Sequence, residues 1–424
     1  MKKSLFAIAA VTAFAGAAQA QSSVTVYGIL DVGFAGTTSR TTTVTSGGSA
    51  AQGGNKANTT AFSGAGSETT SRLGFRGTED LGGGTAAFFT AEFALAPTDM
   101  NLSGNANGGL FNRQTFLGLS QKGIGRAAIG TQYTPIHLAV GATDPGQQNN
   151  MIGSIIYATS AAQGNGQTTT SYTVRQNQAI TFGTENIAGF TLSAMYANGN
   201  ADRTQTGVLQ TTTTAGGTVN STGYGLGANY VWKKLFATAN YQSFKNETDN
   251  STAQVLLVPT TTGGAALPAD PARGVAGTTT VVSGLGTATT NGLNITDNQF
   301  YAAAVYDFGI LKAYVNYINR KAISNFDSNT YVSRTGQQIG VRSFITPKIE
   351  GWANAGTGRY NAFDTSTATA NFTAYQLGGN YWLSKRTNMY AIYGATMTSS
   401  TGVATSANSS AGASSYALGL RHTF

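Results

Sequence analysis

Guanidinium groups on alternating runs are the side chains best placed for chemistry in this chain. In SRLGFRG, Arg72 and Arg76 fall on one face and Leu73 and Phe75 on the other. Arg175 shares a face with Asn177, opposite Val174, Ile180 and Phe182, while Glu92 opposes Ala91 and Phe93 in the run Thr85 to Ala96. A guanidinium stays charged and presents a rigid fork of donors, so it offers attraction for anions rather than proton transfer or covalent attack. Little else here suits catalysis. The chain has no cysteine, which removes thiolate nucleophiles, disulfides and thiolate metal centres. Its two histidines, His137 and His422, lie in neither a nucleophile elbow nor an HExxH pair, and Gly82-Gly83-Gly84 lacks the Lys-Ser/Thr of a phosphate loop. No metal, cofactor or enzymatic activity is expected.

The elements that carry these residues follow from composition and periodicity. Of 424 residues only 10% are charged, and 55 are glycine. Ordinary soluble domains carry roughly a quarter charged residues and about 7% glycine, so a soluble enzyme is disfavoured. The net charge of +8 is scattered along the chain, which argues against a nucleic-acid partner. The first twenty residues, MKKSLFAIAAVTAFAGAAQA, join a basic pair to a short apolar run and end in Ala-Gln-Ala. They read as a cleaved secretory signal peptide, with residues 21–424 forming a single domain.

Alternation with a period of two runs through the remainder. Sixteen strands are expected, near residues 24–34, 71–78, 85–96, 110–120, 126–133, 173–184, 190–197, 223–232, 235–244, 298–307, 311–321, 331–344, 351–360, 372–382, 388–397 and 414–424. Their connections sort by length. Short turns, such as 121–125, 185–189 and 383–387, alternate with long loops at 38–70, 97–109, 134–172, 198–222, 245–297, 322–330, 361–371 and 398–413. An even strand count with short turns at one end and long loops at the other is the pattern of a membrane barrel. The expected fold is all-β, a closed transmembrane antiparallel β-barrel with short periplasmic turns and long extracellular loops. A sheet in lipid must close on itself, because the bilayer offers no partner for its backbone groups. Its lipid face would carry Phe190, Leu192, Tyr224, Leu226, Trp232, Val315, Tyr375 and Leu377. A soluble β-sandwich or propeller is the weaker alternative, since the connections of those folds do not sort by length.

The runs QSSVTVYGILDVGF, SRLGFRGTEDLGGG, FNRQTFLGLS, IGTQY, YWLSKRTNMYAIYG and ALGLRHTF resemble the general-diffusion porins of Gram-negative outer membranes, β-proteobacterial branch. The resemblance implies a homotrimer in the outer membrane, in contact with lipid and lipopolysaccharide, and a third loop, about residues 134–172, folded into the lumen. It also implies that Phe424 belongs to the signal read by the barrel-assembly machinery. The function it implies is passive passage of small hydrophilic solutes and ions; a substrate-selective channel, or a surface adhesin using the long loops, is the alternative.

Within such a barrel an outward arginine at the bilayer midplane costs about 2–4 kcal/mol, so Arg72, Arg76 and Arg175 are expected to face inward. Alternation alone leaves Arg113 with Thr115, Leu117 and Leu119; the resemblance places it with Arg72 and Arg175 in an arginine cluster facing the third loop. Asp144, beside Pro145-Gly146 on that loop, and Glu92 are the expected acidic partners. Lys312, Arg320, Arg334 and Arg342 would extend the positive bias along the lumen. Three arginines against one or two carboxylates favour anions moderately, at about 0.5 kcal/mol per charge across ~8 Å of water.

Overall fold

A computed structural model of the chain describes residues 23–44, 52–103, 109–158, 169–204, 217–250, 294–325, 328–329, 331–363, 368–399 and 408–424. The expected signal peptide and the Thr-rich stretches 211–214 and 278–289 lie outside these residues. The strands are β1 (Ser23–Val44), β2 (Gln52–Ser63), β3 (Arg72–Gly82), β4 (Thr85–Ala94), β5 (Asn112–Gln121), β6 (Gly125–Tyr133), β7 (Arg175–Thr184), β8 (Phe190–Asn198) and β9 (Ala201–Thr204). They continue as β10 (Gly217–Trp232), β11 (Leu235–Asn250), β12 (Asn294–Asp307), β13 (Lys312–Ser324), β14 (Tyr331–Thr346), β15 (Ile349–Phe363), β16 (Ala368–Trp382), β17 (Thr387–Thr398) and β18 (Asn408–Thr423). One helix, α1 (Pro135–Thr143), follows β6.

Every pairing is antiparallel, and β1 closes the sheet against β18 from Ile29↔Thr423 to Val44↔Asn408. The eighteen segments occupy sixteen positions around the wall. Along the far side of β1, β3 pairs with Ser23–Ile29 and β2 with Gly33–Val44, so β2 and β3 are two parts of one stave. Likewise β8 and β9 both pair with β10. Closure leaves the wall without a free edge, which is what permits a sheet in hydrocarbon. Several staves run beyond their expected ends: β1 continues through Thr37–Val44, and β11 reaches Asn250. Thr37–Thr41 and Lys245–Glu247 within these extensions are polar on both faces, so alternation does not mark them, while β-branched threonines still suit the pleat.

The outer face carries the apolar half of each alternation. Leu117 is 65% exposed, Ile129 64% and Leu418 57%, values that only an apolar solvent explains along a whole wall. A shallow outer concavity of about 940 Å³, against Leu119, Phe182, Leu192 and Leu226, belongs to this lipid face. The core lies inside the barrel, where the third loop packs on the inner wall around Ile136, Val140, Ile155, Tyr172, Tyr301 and Ile318.

Candidate pore constriction

The third loop leaves β6 through a capped helix. Thr134 Oγ1 accepts the His137 amide at 3.3 Å, Pro135 occupies the first turn, and the chain turns out of the helix at Asp144. The helix lies on β10, β11 and β12. Glycines on the inner wall make room for the rest of the loop. A Cβ at Gly394 would fall 1.8 Å from the Ile152 carbonyl oxygen, and one at Gly340 would fall 2.4 Å from Pro145 Cγ.

The loop carries backbone polar groups into the barrel, and each needs a partner there. Inward amides supply many of them. Gln242 Nε2 donates to the Thr173 carbonyl at 3.2 Å, Asn316 Nδ2 to Thr143 at 2.9 Å, and Gln376 Nε2 to Met151 and Ile152 at 3.1 and 3.2 Å. Gln338 Oε1 accepts the Ile155 amide at 2.8 Å. Three arginines complete the seam. Arg320 donates to the Thr169 carbonyl, Arg334 to Ile155 and Arg342 to Pro145, each at 2.7 Å. Arg320 is paired with Asp297 at 2.7 Å, and Arg342 with Glu350 at 2.6 Å.

This corrects one expectation. Lys312, Arg320, Arg334 and Arg342 do face inward, as the cross-strand pairs Lys312↔Arg342 and Arg320↔Arg334, but the three arginines are buried under the loop and hold it. Lys312 stands 4.0 Å from Asp307. Lys312, Arg320 and Arg342 each stand against a carboxylate, Arg334 ends on a loop carbonyl and against aromatic rings, and the buried arginines form no free positive lining.

Asp144 requires a second correction. It is 2% exposed, and its carboxylate accepts the Gln148 amide at 2.7 Å and Gln338 Nε2, from β14, at 3.3 Å. Burial pushes its carboxyl above the usual range, against the pull of those hydrogen bonds and of Arg342. Tied to the β14 wall, Asp144 is not the acidic group facing the arginine cluster.

Glu92 is that group. On the wall formed by β3 to β7, Arg113 Nε donates to Glu92 Oε1 at 2.8 Å, Arg72 Nη1 lies 3.8 Å from the same oxygen, and the Tyr27 hydroxyl donates to Glu92 Oε2 at 3.2 Å. Arg113 Nη2 also donates to the Tyr133 hydroxyl at 2.8 Å. Arg175 lies over the Tyr133 ring at 5.5 Å. It is 3% exposed, and its Nε and Nη1 have no hydrogen-bond partner among the described residues. Arg76 is exposed on the same inner face, stacked 5.4 Å from the Tyr27 ring.

A β-bulge brings Arg113 to this cluster. The β4–β5 register shifts between Glu92↔Gln114 and Phe93↔Asn112, leaving Arg113 as the extra residue. Strict alternation from Leu117 and Thr115 would point Arg113 at lipid; the bulge turns it inward, as bulges re-aim side chains elsewhere. The β6–β7 ladder is irregular where Arg175 enters, with Gln178 at φ 50°, and this separates buried Arg175 from exposed Asn177 despite their shared parity.

Facing the cluster from the third loop is His137, whose Nδ1 lies 3.2 Å from the Tyr172 hydroxyl. Burial, and then the charges of Arg175, Arg113 and Arg72, hold its imidazole well below the usual range, so it is neutral. A second inward segment, between β2 and β3, braces the loop: Asn150 donates its amide to the Ser67 carbonyl at 2.9 Å and its Nδ2 to Gly66 at 2.8 Å. Glu68 of that segment pairs with Arg421 at 3.3 Å. No sequence signal marks this brace. At the short-turn end, Phe424 exchanges backbone hydrogen bonds with Gly28 at 3.1 Å and is 43% exposed on the outer face, as alternation predicts; His422 lies on that face too. Among the described residues no cluster of three metal-ligating side chains occurs.

A family model described as Gram-negative porin matches residues 7–401. An outer membrane porin protein of Bordetella pertussis (strain Tohama I) is 34% identical over 207 residues, 46% of this chain and 48% of that protein. The chain thus spans about half the length of that curated relative. Among solved structures, an anion-selective porin from Comamonas acidovorans superposes with a TM-score of 0.58 at 22% identity, covering 95% of this chain and all of that one. The trimer form of OmpT, an outer membrane protein of Vibrio cholerae, gives 0.54 at 14% identity, over 93% of this chain and 99% of that one. With its closed sixteen-position barrel, inward third loop and match across nearly the whole chain, the protein belongs to the Gram-negative porins.

Proposed function

We propose that the protein is a passive outer-membrane channel through which small hydrophilic solutes and ions diffuse, with a bias toward anions set by Arg72, Arg113 and Arg175. The carrying observation is the charge balance of the β3–β7 wall: Arg72 and Arg113 share one carboxylate, Glu92, and Arg175 stands beside them over the Tyr133 ring with no carboxylate of its own among the described residues. The net of two positive charges is worth about 1 kcal/mol to a passing monovalent anion across ~8 Å of water, roughly fivefold over a neutral solute before salt screening. Arg76 adds to the positive approach. The anion selectivity named for the Comamonas relative agrees with this reading, as does the trimer form of OmpT with a homotrimer here. Phe424, outward at the short-turn end, is available to the barrel-assembly machinery, and the apolar outer face to lipid and lipopolysaccharide.

A third loop seamed to the wall by amides and arginines is a fixed constriction rather than a gate, which favours general diffusion over substrate-triggered passage. Single-channel recording in planar bilayers tests this. Conductance that rises in proportion to KCl concentration supports free diffusion of ions, and conductance that saturates at modest salt contradicts it.

A further inference from the structure

Between the arginine level and the short turns, the lumen wall changes character. Lumen faces of such barrels are polar. Here Phe88 and Phe116 both point inward, with ring centroids 6.3 Å apart and edge-to-face at 77°. The register sets that orientation: Phe88 opposes Thr78 and Gly118, Phe116 opposes Thr90 and Gly130, and this row contains Arg76 rather than the lipid-facing Phe75 or Leu117. Gly118 leaves the space that the Phe88 ring fills, since a Cβ there would lie 2.4 Å from Phe88 Cζ. Across from the two rings, Leu138 of α1 is 54% exposed into the lumen. These residues enclose a cavity of about 130 Å³ together with Gln132, Thr181 and Arg126.

The polar lining is unequal. Gln132 is saturated, donating to the Ala128 and Ala179 carbonyls at 3.0 and 3.2 Å and accepting from Thr181 Oγ1 at 2.6 Å. The Arg126 guanidinium makes no hydrogen bond or ion pair among the described residues. Two aromatic rings, one aliphatic side chain and one uncommitted guanidinium thus converge on a space close to the ~150 Å³ apolar cavity that accepts a benzene ring. Ring-on-ring contact satisfies Phe88 and Phe116, and a carboxylate satisfies the fork of Arg126.

We propose that this cavity is a subsite for monocyclic aromatic carboxylates, held during passage with the ring against Phe88, Phe116 and Leu138 and the carboxylate on Arg126. The proposal rests on the anion-biased channel function and narrows it: among anions, those with one aromatic ring dwell in the pore. Dwelling solute obstructs chloride, so it registers as a saturable block.

The test uses the full-length folded protein in planar bilayers, with benzoate, acetate and benzyl alcohol as probes at equal concentration. Each variant's block is read as a fraction of its own chloride current, after heat-modifiable gel migration has established that it is folded. Benzoate is expected to reduce the current saturably in the millimolar range, while acetate and benzyl alcohol do not, because the site needs both ring and charge. Phe116→Ser and, separately, Arg126→Gln should each raise the half-blocking benzoate concentration tenfold or more. Equal block by benzoate and either control overturns the proposal, and so does benzoate block that survives both substitutions. The anion-to-cation ratio, measured in KCl alone, reports on the broader channel function independently, so failure of one is distinguishable from failure of the other.

Discussion

Two walls of this barrel carry inward arginines, and they use them differently. On β13 and β14, Arg320, Arg334 and Arg342 end on carbonyls of the third loop, and two of them are matched by Asp297 and Glu350. On β3 to β7, Arg72 and Arg113 share the single carboxylate of Glu92, and Arg175 lies beside them over the Tyr133 ring. The first wall ends its guanidiniums on loop carbonyls; the second sets three guanidiniums beside one carboxylate. An inward arginine is therefore no measure of lumen potential until its acceptors are known.

The contrast can be broken most severely on the holding wall. Arg320→Met leaves the 2%-exposed Asp297 carboxylate without its guanidinium and the Thr169 carbonyl without its donor. Removing one partner of a buried pair costs about 3–5 kcal/mol, so the folded form should unfold at a clearly lower temperature in gel-shift melting. An unchanged melt would show that the pair is dispensable. A gentler break is Gly394→Val, which places side-chain atoms where the Ile152 carbonyl lies. Overpacking of this kind costs about 1–3 kcal/mol, and the loop is expected to shift, giving a larger and noisier single-channel current.

On the charged wall the effects are smaller and electrostatic. Glu92→Gln removes the cluster's one carboxylate and should raise the anion-to-cation ratio by about fivefold in dilute salt, because one charge shifts anion and cation by about 0.5 kcal/mol each in opposite directions. His137→Gln should change nothing: the imidazole is already neutral, held there by burial and by Arg175, Arg113 and Arg72. Since its folded value is depressed well below that of a free imidazole, the cation does not form near neutrality, so wild type and variant should share one ratio from pH 7.5 to 6.5. A wild-type ratio that climbs over this range, and is flattened by the substitution, would show that His137 charges.

The barrel was legible in the sequence because a lipid-facing wall imposes strict alternation on every stave. Phe190, Leu192, Leu226 and Leu377 all stand on the expected face, and the strand count equals the number of wall positions. The site was legible only in part. Arg72 and Arg76 follow from parity, but Arg113 reaches the cluster through a bulge that no period contains. Asp144 and the β13–β14 arginines take roles other than those expected for a different reason. Parity says which face a side chain takes, and it is silent on whether a loop distant in sequence has covered that face, as Ile155 covers Arg334. The amides Gln242, Asn316, Gln338 and Gln376, set on alternating inner positions, were the available hint that backbone would be packed there.

Reversal potentials across a dilute KCl gradient test the central claim most directly, comparing Arg72→Ser/Arg113→Ser/Arg175→Ser with wild type. Loss of three charges removes about 1.5 kcal/mol of attraction for chloride, roughly tenfold, and leaves Glu92 as the one charge of the cluster. The account predicts an anion-preferring wild type and a triple variant whose preference is abolished or reversed toward potassium. A triple variant that folds and keeps the wild-type ratio at low salt would contradict it.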